Sequence, residues 1–146
     1  MRDSDLRTYF DNSAAIELGR AFRHLNRTFS ETLKLHGLSP LHATMLMELW
    51  RQGPLSVGAL QRQMSLASSS LSGALDRMER AGLVRRTPSP GDRRSFVIEP
   101  ADWEAERKQA VLDTLLETED DFFEPLSSSE RQQLLTLLRK IAKRSP

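Results

Sequence analysis

Cysteine is absent from the 146 residues. That single absence excludes disulfide frameworks, thiolate-ligated zinc, thiol nucleophiles and thiol redox sensing. No apolar run approaches the roughly 18 residues that a membrane span needs. The first residues, Met1-Arg2-Asp3-Ser4-Asp5, are charged and lead into no apolar stretch, so no secretory signal is expected and the chain reads as cytoplasmic, with no membrane partner. The motifs of common enzyme classes are missing too. There is no Gly-x-Ser-x-Gly elbow, no Walker loop, no Gly-x-Gly-x-x-Gly and no His-Glu-x-x-His. Three histidines, His24, His36 and His42, form no ligand pair at helical spacing, and no metal or other cofactor is expected. The chain reads as non-catalytic.

What remains is a soluble-type composition long enough for about one domain, with 38% hydrophobic and 28% charged residues. The formal net charge of +1 is uninformative, but its distribution is not. Residues 77–94 hold Arg77, Arg80, Arg85, Arg86, Arg93 and Arg94 against two acids, Glu79 and Asp92. Residues 99–124 hold ten acids against Arg107 and Lys108. A compact basic segment followed by an acidic one suits a protein with one polyanion-facing surface; charge fluctuation along solvated helices is the plainer alternative.

Hydrophobic spacing and punctuation predict a mainly helical chain with one short β-hairpin. Ala14, Leu18, Phe22, Leu25, Phe29 and Leu33 recur three or four apart, predicting one helix over about residues 6–36. Gly37-Leu38 suits a helix stop, and Ser39-Pro40 a cap with proline at the first helical position. The stripe Leu41, Met45, Leu49 runs to Gly53-Pro54. Ser56 caps a short third helix, with Leu55 and Leu60 placed as a hydrophobic staple. A fourth helix starts near Ala67 or Ser68, points Leu71, Leu75 and Met78 inward, and stops at Gly82-Leu83. Strands over 83–87 and 95–99 flank a turn centred on Pro90-Gly91. A long helix from Asp102 to about Phe123 and a last one, opened by a Ser127/Glu130 capping box, complete the chain.

Two short helices in tandem followed by a basic hairpin give the order of a winged helix-turn-helix. The second helix of such a unit enters a major groove about 12 Å wide, so its outer face must be narrow and polar. Residues 63–75 carry no charge, and their polar positions include the small Ser65, Ser68, Ser69, Ser70 and Ser72. Small hydroxyls permit close approach without choosing strongly among bases. The hairpin tip offers Arg93 and Arg94 to a phosphate or a narrow minor groove. A run of serines also suits a plain loop, and tip arginines also suit simple solubilisation. Arg85 and Arg86 alternate on a strand, so one faces the DNA side while the other packs its stem or pairs with an acid.

Residues 60–100, above all Leu71-Ser72-Gly73-Ala74-Leu75-Asp76-Arg77-Met78-Glu79-Arg80-Ala81-Gly82-Leu83-Val84-Arg85-Arg86 and the wing Ser89-Pro90-Gly91-Asp92-Arg93-Arg94-Ser95, resemble the MarR family of bacterial transcription regulators. The last segment, Pro125 to Leu134 and its Leu-rich continuation, is similar as well, so the likeness spans nearly the whole chain. It implies a homodimer on a pseudo-palindromic operator in double-stranded DNA, most simply as a repressor. Residues 1–36 and 101–146 would form the dimerisation helices and residues 38–100 the DNA-binding lobe of a single regulator domain. By position, the resemblance assigns DNA contact to Ser68, Ser69, Ser70, Ser72, Arg77, Arg93 and Arg94. It makes Asp92 the acid that pairs with a neighbouring arginine to fix the tip. It also implies a small, anionic aromatic effector between lobe and dimer helices, for which Arg23, His42 and Met45 are the lining candidates. Three departures stand out: Ala67 where a serine-type cap is usual, Gly73 where an arginine is common, and Glu99-Pro100-Ala101-Asp102 leading into the long helix. The rival reading from another class is a winged-helix module that binds a protein rather than DNA.

Overall fold

The computed structural model describes residues 3–143; residues 1–2 and 144–146, the ends of the two expected dimerisation segments, lie outside the described residues. The elements follow as α1 (Asp3–Asn12), α2 (Ala14–Leu33), a 3₁₀ turn (Lys34–His36), α3 (Pro40–Gln52), β1 (Leu55–Ser56), α4 (Val57–Met64), α5 (Ser68–Arg80), β2 (Val84–Ser89), β3 (Asp92–Pro100), α6 (Ala105–Phe122) and α7 (Ser128–Ala142). The winged helix-turn-helix order is therefore present, on a mostly helical chain.

Local chemistry explains most of the boundaries. Ser39, Ser56 and Ser127 sit in extended backbone, and each hydroxyl accepts an N–H from the first turn of its helix. At Ser127 the Glu130 carboxylate returns the contact on the Ser127 N–H at 2.8 Å, closing the capping box. Helix α5 stops at Gly82, whose φ of 70° is open to a residue without Cβ, and the Leu83 N–H then reaches back to the Met78 carbonyl at 2.9 Å. Leu83 thereby folds under the helix into the core.

Three boundaries differ from expectation. The single helix over residues 6–36 is two: Ser13 leaves the helical region at φ −89°, ψ 105°, and its side chain caps α2 through the Ile16 N–H. An N-cap serine offers the backbone an alternative to helix continuation, and the apolar stripe of α1 is too sparse to override it. The two-stranded hairpin is a three-stranded antiparallel sheet in the order β1-β3-β2, because Leu55 and Ser56 pair with Ile98 and Val97. The long helix begins at Ala105, not Asp102. Pro100 holds the chain extended, and Trp103 is buried at the joint with its ring edge-on to Trp50, centroids 5.2 Å apart.

One core serves the lobe. Leu38, Met45, Leu46, Leu49, Leu60, Leu71, Leu75, Met78 and Ile98 are sealed from solvent, with Leu33, Trp103 and Val111 tying in the outer helices. Helices α2 and α6 lie together, bridged by Thr118 Oγ1 donating to Thr32 Oγ1 at 3.0 Å, and the 3₁₀ turn after α2 adds His36 Nε2 with Thr114 Oγ1 at 2.8 Å. Helices α1 and α7, in contrast, bury no residue.

Candidate nucleic-acid interface

The site is built from the first turns of α5 and from the hairpin tip. Leu71, Ala74, Leu75 and Met78 anchor α5 in the core, which turns Ser68, Ser69, Ser70 and Ser72 outward, all exposed. Ser68 is partly committed: its Oγ accepts the Gln61 side-chain amide at 2.9 Å, bracing α5 against α4 across the tight turn. That turn is closed by Ser65, which takes the left-handed conformation at φ 50° and donates its N–H back to the Arg62 carbonyl. Ala67 occupies the cap position of α5 and offers no side-chain oxygen, so the first-turn N–H groups are left for solvent or an anion.

Gly73 has a steric role. An ideal Cβ built there would lie 3.3 Å from Arg77 Nη1, so the exposed Arg77 side chain lies back along the helix over the glycine. Glycine at this position thus leaves room that the Arg77 guanidinium covers. His42, half-buried on α3, feels that charge: burial first, and Arg77 second, hold its imidazole below the usual histidine range.

The hairpin tip is more irregular than a simple turn. Ser89 pairs with Asp92 across Pro90-Gly91, with Gly91 at φ 85°, yet the next pair inward is Pro88 with Phe96. Arg93, Arg94 and Ser95 are therefore extra residues on β3, bulging opposite a proline that has no N–H to give. The Asp92 carboxylate accepts the backbone N–H of Arg94 at 2.9 Å, and Ser95 Oγ donates to the Asp92 carbonyl. Asp92 thus holds the tip through the Arg94 amide. Both Arg93 and Arg94 are exposed at the end of the arm.

Behind the tip, both strand arginines are paired, where one pairing is expected from the alternation. Arg85 reaches Asp102 at 3.3 Å, and Arg86 reaches Asp76 at 2.7 Å and Glu79 at 3.4 Å on α5. The Arg86 bridge joins residues ten apart on different elements, and no local sequence signal announces its geometry. Gln61 and the exposed Phe96 are further neighbours of the site that sequence reasoning missed.

The three effector candidates are not gathered. Met45 is completely buried in the lobe core and presents no surface, because it lies on the α3 stripe that faces inward. Arg23 is exposed on α2 and lies back over Gly19, while His42 sits against the Arg77 side. One cleft of about 450 Å³ between α3 and α6 is bounded by other residues, Met47, Trp50, Arg51, Lys108 and Leu112 among them.

A braced helix pair, a polar exposed second helix and an arginine-tipped wing define a winged helix-turn-helix transcription regulator. The MarR family model matches residues 38–96. The chain is 30% identical over 129 residues to the HTH-type transcriptional regulator PecS of Dickeya dadantii, covering 86% of this chain and 78% of that protein. The chain belongs to the MarR family, whose members are transcriptional regulators and not enzymes. Solved structures share the fold. BpsR of Bordetella bronchiseptica, studied for regulation of its DNA binding by 6-hydroxynicotinic acid, superposes with a TM-score of 0.85 at 20% identity, covering 93% of this chain and 97% of that one. A mutant MarR from E. coli complexed with operator DNA superposes at 0.78 and 20% identity, covering 91% and 96%. No helix among the described residues is long and apolar enough to cross a membrane.

Proposed function

We propose that the chain acts as a homodimer that holds a pseudo-palindromic operator with two winged lobes and lets go when a small effector binds. In this reading residues 38–100 form the lobe, and residues 1–36 and 101–146 form the dimerisation helices. The observation that carries it is the shared outward exposure of the α5 serines and the wing arginines on one well-cored lobe. Ser69, Ser70 and Ser72 approach base edges or phosphates, Ser68 holds its place in the turn, and Arg77, Arg93 and Arg94 supply cationic contacts. Asp92 shapes the arm that carries two of them.

The outer helices support the second half of the reading. Tyr9, Phe10, Phe22, Leu137 and Ile141 are each more than half exposed, an apolar surface of the kind a second copy covers. Control follows by linkage: an effector that binds better when the lobes are off register lowers DNA affinity by the same factor that DNA lowers its own. BpsR's regulator is an aromatic acid, which supports an anionic aromatic effector here, with Arg23 and His42 as the contacts still open to solvent. Repression by simple occlusion of a promoter, inside the cell where that promoter is, completes the proposal.

The test is fluorescence anisotropy on random duplex and on the chain's own upstream region between about 50 and 200 mM salt. With three or four phosphates neutralised per protomer, log K should fall against log salt with a slope of about −5 to −7. Tighter binding to upstream DNA marks autoregulation. Salt-insensitive, negligible binding to every duplex in a selected pool contradicts the proposal and favours a protein-binding module.

A further inference from the structure

We infer that Arg86 is the positioning residue that sets the angle of the wing against the recognition helix, an inference that rests on reading α5 and the wing as DNA elements. Three observations carry it. The first is where the core ends. Along β3 the last sealed residue is Ile98, and Phe96, one step further out on the same face, is 48% exposed. Beyond Ile98 no buried apolar residue holds the hairpin to the lobe. Arg86 is the β2 partner of Ile98, so it stands where hydrophobic anchoring stops and the free arm starts.

The second is the reach of its side chain. Its Nη2 donates to Asp76 Oδ1 at 2.7 Å and its Nε stands 3.4 Å from Glu79 Oε2. One guanidinium thus spans two carboxylates one turn apart on α5, a forked contact that fixes direction as well as distance. Arg80 is held separately, its Nε donating to the Asp76 carbonyl at 3.3 Å, so it does not compete for the carboxylate.

The third is leverage. Isolated exposed ion pairs add little to folding stability, so the bridge has a small thermodynamic part to play in the fold. Its geometric part is larger. Three residue steps lead from Arg86 to the turn corner at Ser89, an arm of about 10 Å. A tilt of about 10° at the bridge moves the tip, and with it Arg93 and Arg94, by about 2 Å along the DNA. That is enough to break a hydrogen bond to a phosphate or a groove edge.

The test compares the full-length protein with Arg86→Met and Arg86→Lys by hydroxyl-radical footprinting and anisotropy on a duplex selected from a random pool. The Met variant should melt within about 4 °C of wild type. It should bind about tenfold more weakly and lose protection in the flanking minor grooves while keeping the central protection from α5. The Lys variant, a single point donor, should fall between. Asp76→Asn combined with Glu79→Gln leaves Arg86 without its partners and should lose the same flanking protection, although it removes negative charge from the DNA side. A Met variant with the wild-type footprint overturns the inference. So does a parallel loss of all protection with a lower melting temperature, which would make Arg86 a folding residue. So would tighter binding with unchanged flanks in the Asn/Gln variant, which would make the bridge a matter of charge alone. A wild-type protein that leaves no footprint on any duplex would instead overturn the DNA-binding reading itself.

Discussion

The lobe and the outer helices handle apolar surface in opposite ways. From Leu38 to Ile98 the lobe seals most of its large aliphatic side chains in one core and turns serine and arginine outward. Helices α1 and α7 seal nothing, and leave Tyr9, Phe10, Leu137 and Ile141 in solvent. A helix that buries no residue of its own chain gains little from tertiary packing, which is where most helical stability in proteins comes from. The contrast teaches that the lobe closes its core within one chain, with α2 and α6 packed onto it, whereas α1 and α7, on the dimer proposal, are completed by a second copy. Folding and assembly should therefore separate under mutation.

The strongest way to break the comparison is inside the lobe. Leu75→Ala, in the middle of α5 and 1% exposed, should cost about 2–5 kcal/mol of stability, read by denaturant or thermal melting. If it melts like wild type, the core is not as closed as the geometry shows. The complementary change is on α7. Glu in place of both Leu137 and Ile141 should leave the lobe's fold intact by circular dichroism yet shift the sedimenting species from dimer to monomer. DNA affinity should then drop by two orders of magnitude or more, because one lobe loses its tethered partner. A stable dimer carrying both charges would place the interface elsewhere.

Within the site, Arg94→Ala should weaken binding by roughly tenfold and make the salt slope shallower by about one for each phosphate left unneutralised. Ser72→Ala should cost less, since a small hydroxyl chooses weakly among bases. A costlier Ser72 change would mean that base readout dominates over the wing. The smallest effect concerns pH. His42 has its folded pKa below the ordinary ~6.5, through burial first and Arg77 second. The stability tied to its neutral form is fully present above that ordinary value and is lost as pH falls through the lowered folded one. His42→Gln should therefore flatten the stability profile below about pH 6.5. An unchanged acid limb would assign it to other groups.

How much of this is legible in the sequence depends on the range of the interaction. Gly82-Leu83, Ser39-Pro40 and the Ser127/Glu130 box are readable because capping is decided within a few residues. The uncapped α5 start at Ala67 is readable for the same reason. The break at Ser13 is missed because the helix is extended back to residue 6 beyond a stripe that begins only at Ala14. The short strand at Leu55–Ser56 is hidden because two residues carry no periodicity; its partners lie more than forty residues later. The bulge at Arg93–Ser95 and the Arg86 bridge depend on pairing register, which composition does not encode. Met45 enters as an effector candidate through the family resemblance, which carries no burial; in the fold it fills the core.

In the proposed assembly two chains, joined by their outer helices, act on one duplex. Sedimentation equilibrium of the protein with a single labelled operator duplex measures that directly. Two chains per duplex are expected, with the free protein already dimeric at the same concentration. One chain per duplex at full affinity would contradict it, because the exposed faces of α1 and α7 would then have no part in holding DNA.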